Sequence, residues 1–353
     1  MYPFTDLLKQ LISLPGLSAY EGPARTAIET AWRPLVDELS VSRLGSLHGL
    51  RRGRGPEPRP RLLLAAHMDA IGLMVTGIQD GLLRFTEIGG IDPRILPGQL
   101  VTVHGRRDLP AVVVQPPERL LPPSQKDHAV EMQYLFVDTG LLAEEVAGQV
   151  RIGDLISFAQ PPLELPGDVL AGHSLDNRTS VAAVTHCLSE LQKRLFDWDV
   201  WAVATVQEEE TLGGGLTSPF EIRPQLAIAI DVTFAKGPGV SDHRAYGFGK
   251  GPTIGWGPNV HPALFRSFKE IAEELDMPYQ VENMPQHSGT DAYAMQIVAE
   301  GIPTLVLGLP LRYMHTPVEA MVLKDIARCG RLLAEFITRL KPDYMETFRW
   351  DKE

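Results

Sequence analysis

Leu62-Leu63-Leu64-Ala65-Ala66-His67-Met68-Asp69 decides the fold: five apolar residues in succession lead straight into a histidine and a carboxylate. An unbroken apolar run of this length suits a strand covered on both faces by helices, as in a parallel sheet. Three more runs of the same kind come later, at residues 201–206, 226–230 and 304–307. They alternate with helix-like segments at 178–195, 262–276, 291–299 and 322–340, so the pattern predicts an α/β domain.

Outward from the first run the character changes twice. Upstream, residues 4–13 and 23–38 read as helices, and 44–64 reads as a hairpin around Arg51-Arg52-Gly53-Arg54-Gly55-Pro56. Downstream, short β-type runs at 82–88, 100–104, 111–115 and 155–159 are separated by Gly/Pro clusters such as Gly89-Gly90-Ile91-Asp92-Pro93, which predicts a small barrel or sandwich. Residues 72–166 are therefore expected to form an inserted β-domain. Residues 1–71 and 167–353 are then one discontinuous α/β domain.

Composition narrows the function. The chain has 353 residues, 44% hydrophobic and 22% charged, with 33 Lys+Arg against 44 Asp+Glu and a net charge of −11. Those fractions exclude a disordered or fibrous chain. The acidic balance argues against a nucleic-acid partner, because phosphate binding needs clustered Lys and Arg. The five arginines between 51 and 61 alternate with Gly and Pro and read as a solvated turn. Cys187 and Cys329 give no disulfide framework, and no apolar run approaches the ~20 residues of a membrane span. The N-terminus lacks the basic start and apolar stretch of a signal peptide. A cytoplasmic protein with no membrane partner is the expectation.

The residues just past each apolar run carry the chemistry. His67-Met68-Asp69 comes after the first and Gln207-Glu208-Glu209-Glu210 after the second; Asp231 succeeds the third, and His315 comes shortly after the fourth. In open α/β sheets ligands bind at the carboxyl ends of the strands, so four strands deliver His, Glu, Asp and His to one edge. Asp176, in Gly172-His173-Ser174-Leu175-Asp176-Asn177-Arg178, precedes a helix. Each alone has an ordinary reading: a surface pair, a solvated acidic turn, a helix cap or a turn former. Together they predict a metal site. Imidazoles with carboxylates suit Zn2+, Co2+ or Mn2+. Two such ions bring +4 against −3 from Asp176, Glu209 and Asp231, and a hydroxide closes the balance. Asp69 is then expected to orient the His67 ring, since a ligating imidazole usually donates its other N–H to a carboxylate.

These residues resemble the family of glutamyl and tetrahedral aminopeptidases, some members of which are labelled cellulase or endoglucanase. The resemblance rests on His67-Met68-Asp69-Ala70-Ile71-Gly72, Leu175-Asp176-Asn177-Arg178, Val206-Gln207-Glu208-Glu209, Ile230-Asp231-Val232 and the stretch from Arg312 through His315-Thr316-Pro317 to Glu319. It continues through Ile88-Gly89-Gly90, Leu96-Pro97-Gly98-Gln99, Val137-Asp138-Thr139-Gly140 and Ser288-Gly289-Thr290-Asp291-Ala292, and so spans nearly the whole chain. It implies a mixed-sheet α/β/α di-metal peptidase domain with an inserted β-barrel. It also implies Asp176 as the ligand shared by two ions, with His67 and Asp231 on one and Glu209 and His315 on the other. Glu208 would be the general base acting on a metal-bridging water, and anchoring of a free α-amine would restrict attack to peptide N-termini. Homo-oligomers, dodecameric tetrahedra among them, are implied as well, with the β-insert as contact surface.

The chain departs from the family pattern in one place: Glu210-Thr211-Leu212-Gly213-Gly214-Gly215 stands where many relatives carry Val-Gly-Leu-Arg-Gly-Ala. His173 stands where Lys is frequent, and Gln286-His287-Ser288 reads either as a pocket border or as an ordinary loop. Two alternatives stay open: a metallohydrolase of another amide or of a glycan, and a non-catalytic metal-binding assembly subunit.

Overall fold

The computed structural model describes residues 2–126 and 128–348. Among them an eleven-stranded mixed sheet has four parallel strands at its centre, in the order Asp199–Thr205, Arg61–His67, Leu226–Phe234 and Thr304–Arg312. Three of the four apolar runs fall inside these strands, and the fourth, 201–206, overruns its strand by one residue, Val206. Successive side chains point to opposite faces of a strand, yet residues of both parities are buried from Leu62 to His67 and from Leu226 to Asp231. Both faces are therefore covered. Helices Leu175–Leu191, Leu323–Arg339 and Pro262–Glu274 pack together, and Gly213–Ile222 packs on Asp291–Gln296. The helix Leu323–Arg339 buries Ile326, Cys329, Leu333, Phe336 and Ile337, the three-and-four spacing of one apolar stripe.

The predicted hairpin at 44–64 does not form. Glu38–Val41 pairs antiparallel with Leu47–Arg51, and Leu47–Arg51 then pairs with Asp199–Thr205, which separates it from Arg61–His67. The arginine-rich loop crosses over the intervening strand, where Asp199 accepts from the Gly53 N–H at 3.0 Å and from Arg59 Nε at 2.7 Å. The second helix stops at Trp32, well short of 38, because Pro34 lacks the N–H that another turn needs.

Beyond His67 the chain leaves the sheet for a closed six-stranded barrel in the order Gly72–Gln79, Leu82–Ile88, Phe136–Asp138, Asp108–Val114, Leu100–His104 and Leu155–Phe158. Two of these, Gly72–Gln79 and Phe136–Asp138, lie outside the predicted β-runs. The barrel has its own core, built around Leu73, Val75, Leu83, Val103, Val137 and Ile156. The chain returns at Leu163–Leu165, which pairs with Val169–Gly172 on the edge of the large sheet. No helix among the described residues is long and apolar enough to cross a membrane.

Candidate metal centre

Parallel register puts the C-terminal ends of the central strands side by side: His67 opposite Thr205, and Asp231 opposite Gly308. The strands holding Asp231 and preceding His315 run on to Phe234 and Arg312, several residues beyond their apolar runs. Asp176 reaches the same edge from the start of Leu175–Leu191, where it and Asn177 depart from helical dihedrals. Asn177 fixes that start by donating Nδ2–H to Ile230 O at 2.9 Å, one residue before Asp231. Arg178, fully buried, donates to the carbonyls of Met68, Leu11 and Leu14, tying the turn after His67 to the first helix.

The predicted ligands converge. His67 Nε2 lies 3.2 Å from Asp176 Oδ1 and 3.7 Å from Asp231 Oδ1, while His315 Nε2 lies 3.4 Å from Asp176 Oδ2 and 3.4 Å from Glu209 Oε2. Each oxygen of Asp176 thus faces a different imidazole. Glu208 Oε2 stands 3.7 Å from His67 Nε2. Ligand atoms of His67, Glu208 and Asp231 all lie within 4.8 Å of one another, and so do those of His67, Asp176 and Glu209. His315 falls outside these trios but closes the cluster through Asp176 and Glu209.

Two buried carboxylates brace the cluster from behind. Asp69 accepts from Ser18 Oγ at 2.6 Å and from the backbone N–H groups of Glu208 and Glu209 at 3.0 and 3.2 Å, with Oδ1 3.5 Å from His67 Nδ1. It therefore holds the ring and the Glu208-Glu209 turn together. Glu319 does the same on the other side, accepting from the N–H of His315 at 2.9 Å and of Asp176 at 3.0 Å. The sequence reading gave Glu319, Ser18 and Asp291 no role. The available signal for Glu319 was its position four residues after His315; it opens the strand Glu319–Val322.

The barrel also touches the centre. His315 Nδ1 donates to Gly90 O at 2.8 Å, which leaves Nε2 facing the carboxylates, and Glu210 accepts from the Gly89 N–H at 2.6 Å. Gly89 has φ +75°, and a Cβ there would lie 2.5 Å from Ile71 Cγ2. Gly214, where the family pattern also has glycine, and Gly215, where many relatives carry alanine, are both tightly packed. A Cβ at Gly214 would meet the Val206 backbone at 2.6 Å, and one at Gly215 the Asp291 carboxylate at 2.3 Å. Asp291 in turn accepts from Thr205 Oγ1 at 2.6 Å, and burial pushes its carboxyl up to about 7.

The electrostatics describe a pocket short of positive charge. Burial above all, with Asp176 adding to it, pushes Glu209 up to about 8, and burial raises Glu208 well above the carboxylate range. Burial disfavours a charged His67, but Glu208, Asp176, Asp231 and Asp69 outweigh it and hold the imidazole well above its ordinary value. His315 is likewise held at about 9, with Asp176 and Glu209 overcoming burial. Asp176 stays well below the usual range because both imidazoles face it. Acids that keep protons and imidazoles that gain them mark a site built for added cations.

The cluster forms the floor of a cavity of about 500 Å3, with Leu212, Thr233, Phe234, Glu282, Tyr293 and Met314 on its walls. His287 and Ser288 line it too, so that loop borders the pocket.

Comparison with known proteins agrees with this geometry. The family model described as M42 glutamyl aminopeptidase matches residues 45–332. The lysyl aminopeptidase of Pyrococcus furiosus is 35% identical over 344 residues, covering 96% of this chain and 97% of the relative. The TET aminopeptidase of a marine sediment Thaumarchaeota archaeon superposes with a TM-score of 0.92 at 29% identity, covering 98% and 99% of the two chains. The Pyrococcus horikoshii TET1 peptidase, described as able to assemble into a tetrahedron or a large octahedral shell, gives 0.83 at 30% identity over 96% and 100%. The chain is a peptide hydrolase and belongs to the M42 glutamyl aminopeptidase family.

Proposed function

We propose that this protein is a metal-dependent aminopeptidase with two divalent cations per chain, Zn2+ or Co2+ and alternatively Mn2+. The observation that carries the reading is Asp176, whose two oxygens each face a different imidazole. The donor set fits: two imidazole nitrogens and several carboxylates converge, and Glu209 Oε1 is buried without a hydrogen-bond partner among the described residues. His67 and Asp231 would hold one ion, Glu209 and His315 the other, and Asp176 both. When bound, such ions polarise a scissile carbonyl and make water more acidic.

The chain's own residues do the rest. Glu208 takes a proton from the attacking water and returns it to the leaving amine, and burial, which pushes its carboxyl up, favours holding that proton between the two transfers. Asp69 orients His67 and fixes the Glu208-Glu209 turn. Anchoring of the substrate's free α-amine at the loaded cluster would confine attack to N-terminal residues. Residues 72–166 form the inserted unit between 1–71 and 167–353, governing access and subunit contact. The shells described for the TET1 relative support assembly into a homo-oligomer, a dodecamer in this reading. Peptides in the cytoplasm are the substrates, with no nucleic-acid or membrane partner.

The closeness of Glu208 to His67 and Asp231 favours a second reading, in which Glu208 is itself a ligand. Glu208→Gln separates the two. If Glu208 is the base, turnover of aminoacyl p-nitroanilides falls about 10²–10⁴-fold while elemental analysis still finds two metals per chain. If it is a ligand, metal content falls too. Wild-type hydrolysis that survives exhaustive chelation would sink the metal reading altogether.

A further inference from the structure

The cavity wall holds a carboxylate that the metal reading leaves unused. Glu282, on the strand Gln280–Asn283, accepts from Thr233 Oγ1 and Thr253 Oγ1, both at 2.6 Å. A carboxylate offers about four lone-pair sites, so the two hydroxyls leave about half its acceptor capacity open. Among the described residues it has no cationic partner, and neither Lys nor Arg lines the cavity. Thr233 lies two residues beyond Asp231 on the same strand, so both side chains share one face, roughly 7 Å apart along the strand. Glu282 thus lines a short channel beside the metal cluster, with Oε1 at Thr233 and Oε2 over Gly308, the register partner of Asp231.

We propose that this channel receives the side chain of the substrate's N-terminal residue and that Glu282 selects a cationic one, Lys or Arg. This rests on the aminopeptidase reading, which places the substrate α-amine at the cluster. Lysine carries its ammonium on a four-carbon stem, a length suited to the distance from Asp231 to Thr233. The stem would run along Phe234 and Tyr293, which line the same cavity and offer apolar and cation–π contact. An ammonium at Glu282 fills its open acceptor sites and supplies the counter-charge that its surroundings lack. Burial and the nearby Asp231 push the Glu282 carboxyl up, in keeping with a group awaiting a cation. A substrate glutamate would face this carboxylate with no Lys or Arg among the lining residues to pair with it, a costly arrangement for a desolvated charge.

The test compares lysyl, arginyl, norleucyl and glutamyl p-nitroanilides on the metal-replete full-length protein. Norleucine keeps the four-carbon stem and lacks the charge. The expected kcat/KM for lysine exceeds that for norleucine at least tenfold and that for glutamate at least a hundredfold. Glu282→Gln is expected to lower the lysine-to-norleucine ratio at least tenfold, a ratio that a general loss of folding would not move. Norleucine equal to lysine in the wild type, or glutamate above norleucine, overturns the proposal, and so does an unchanged ratio in Glu282→Gln. Failure to cleave any of the four substrates would instead remove the aminopeptidase reading on which it rests.

Discussion

His67 and His315 face the same carboxylate, Asp176, from opposite kinds of support. His67 ends a central parallel strand, is 2% exposed, and is backed by Asp69, which is itself wholly buried. His315 sits in a turn with φ +61°, its side chain is 36% exposed, and its Nδ1 is held by Gly90 O from the barrel. The inner half of the centre is thus part of the sheet's core, whereas the outer half is assembled by a turn, Glu319 and a second folded unit. Inner contacts are dry and should be expensive to remove; outer ones border solvent and should cost less.

The largest expected effect is therefore on the inner half. Asp69→Ala strands the Ser18 hydroxyl and the N–H groups of Glu208 and Glu209 together and leaves His67 Nδ1 only the residue-69 backbone carbonyl, 3.3 Å away. A loss of roughly 3–5 kcal/mol in folding stability is expected, read by denaturant unfolding of the metal-free protein. An unchanged midpoint would remove the distinction between the halves.

Glu319→Gln comes next. The amide keeps one carbonyl acceptor, so only one of the N–H groups of Asp176 and His315 stays satisfied. Loss of a group that braces metal ligands typically costs about 10–100-fold in metal affinity. Titration of the metal-free protein with Co2+, followed by visible absorption, should show one ion weakened more than the other. Equal weakening of both would mean that Glu319 braces the whole centre through Asp176 rather than its outer half.

Legibility in the sequence divides along the same line. The four central strands were readable because two-sided burial leaves an unbroken apolar run, and residues placed after such runs must share one edge. Asp69 was readable for its spacing from His67. Glu319 was not, because a single acidic residue after Thr-Pro looks the same whether it faces water or clasps two backbone N–H groups. The misplaced hairpin has a related cause: Leu47–Arg51 pairs with a strand some 150 positions away, and local periodicity does not encode a partner at that separation. Phe136–Asp138 escaped notice for a like reason, since its partners Leu82–Ile88 and Asp108–Val114 are distant in sequence. Gly72–Gln79, by contrast, forms a tight hairpin with Leu82–Ile88 across Asp80-Gly81, a local turn signal that was available.

The seam between the two units offers a pH handle. His173 ends the turn after Val169–Gly172 and stacks edge-on against Phe158 of the barrel at 5.1 Å; burial, with Arg178 adding to it, lowers its imidazole to about 3. In the unfolded chain that ring takes a proton near pH 6.5. The unfolded state therefore binds the proton first, so His173's contribution is complete above pH 6.5 and is lost as pH falls toward about 3. Between pH 6.5 and 5 the loss is about 2 kcal/mol. His173→Gln should flatten this limb of the stability profile, and an equally steep limb in the variant would assign the acid sensitivity to other groups.

The smallest effect should come from Glu210, the residue that stands where many relatives carry valine. Its carboxylate takes the Gly89 N–H, and the adjoining Gly90 carbonyl holds His315, so the bond steadies the outer half at one remove. Glu210 is exposed, and the freed N–H would find water, which limits the cost of Glu210→Ala to about 1 kcal/mol. A three- to tenfold weakening of the outer ion is expected in the same Co2+ titration, with the inner ion unmoved. A loss as large as that of Glu319→Gln would show that the barrel, and not the buried glutamate, governs His315. The outer half would then depend chiefly on barrel docking.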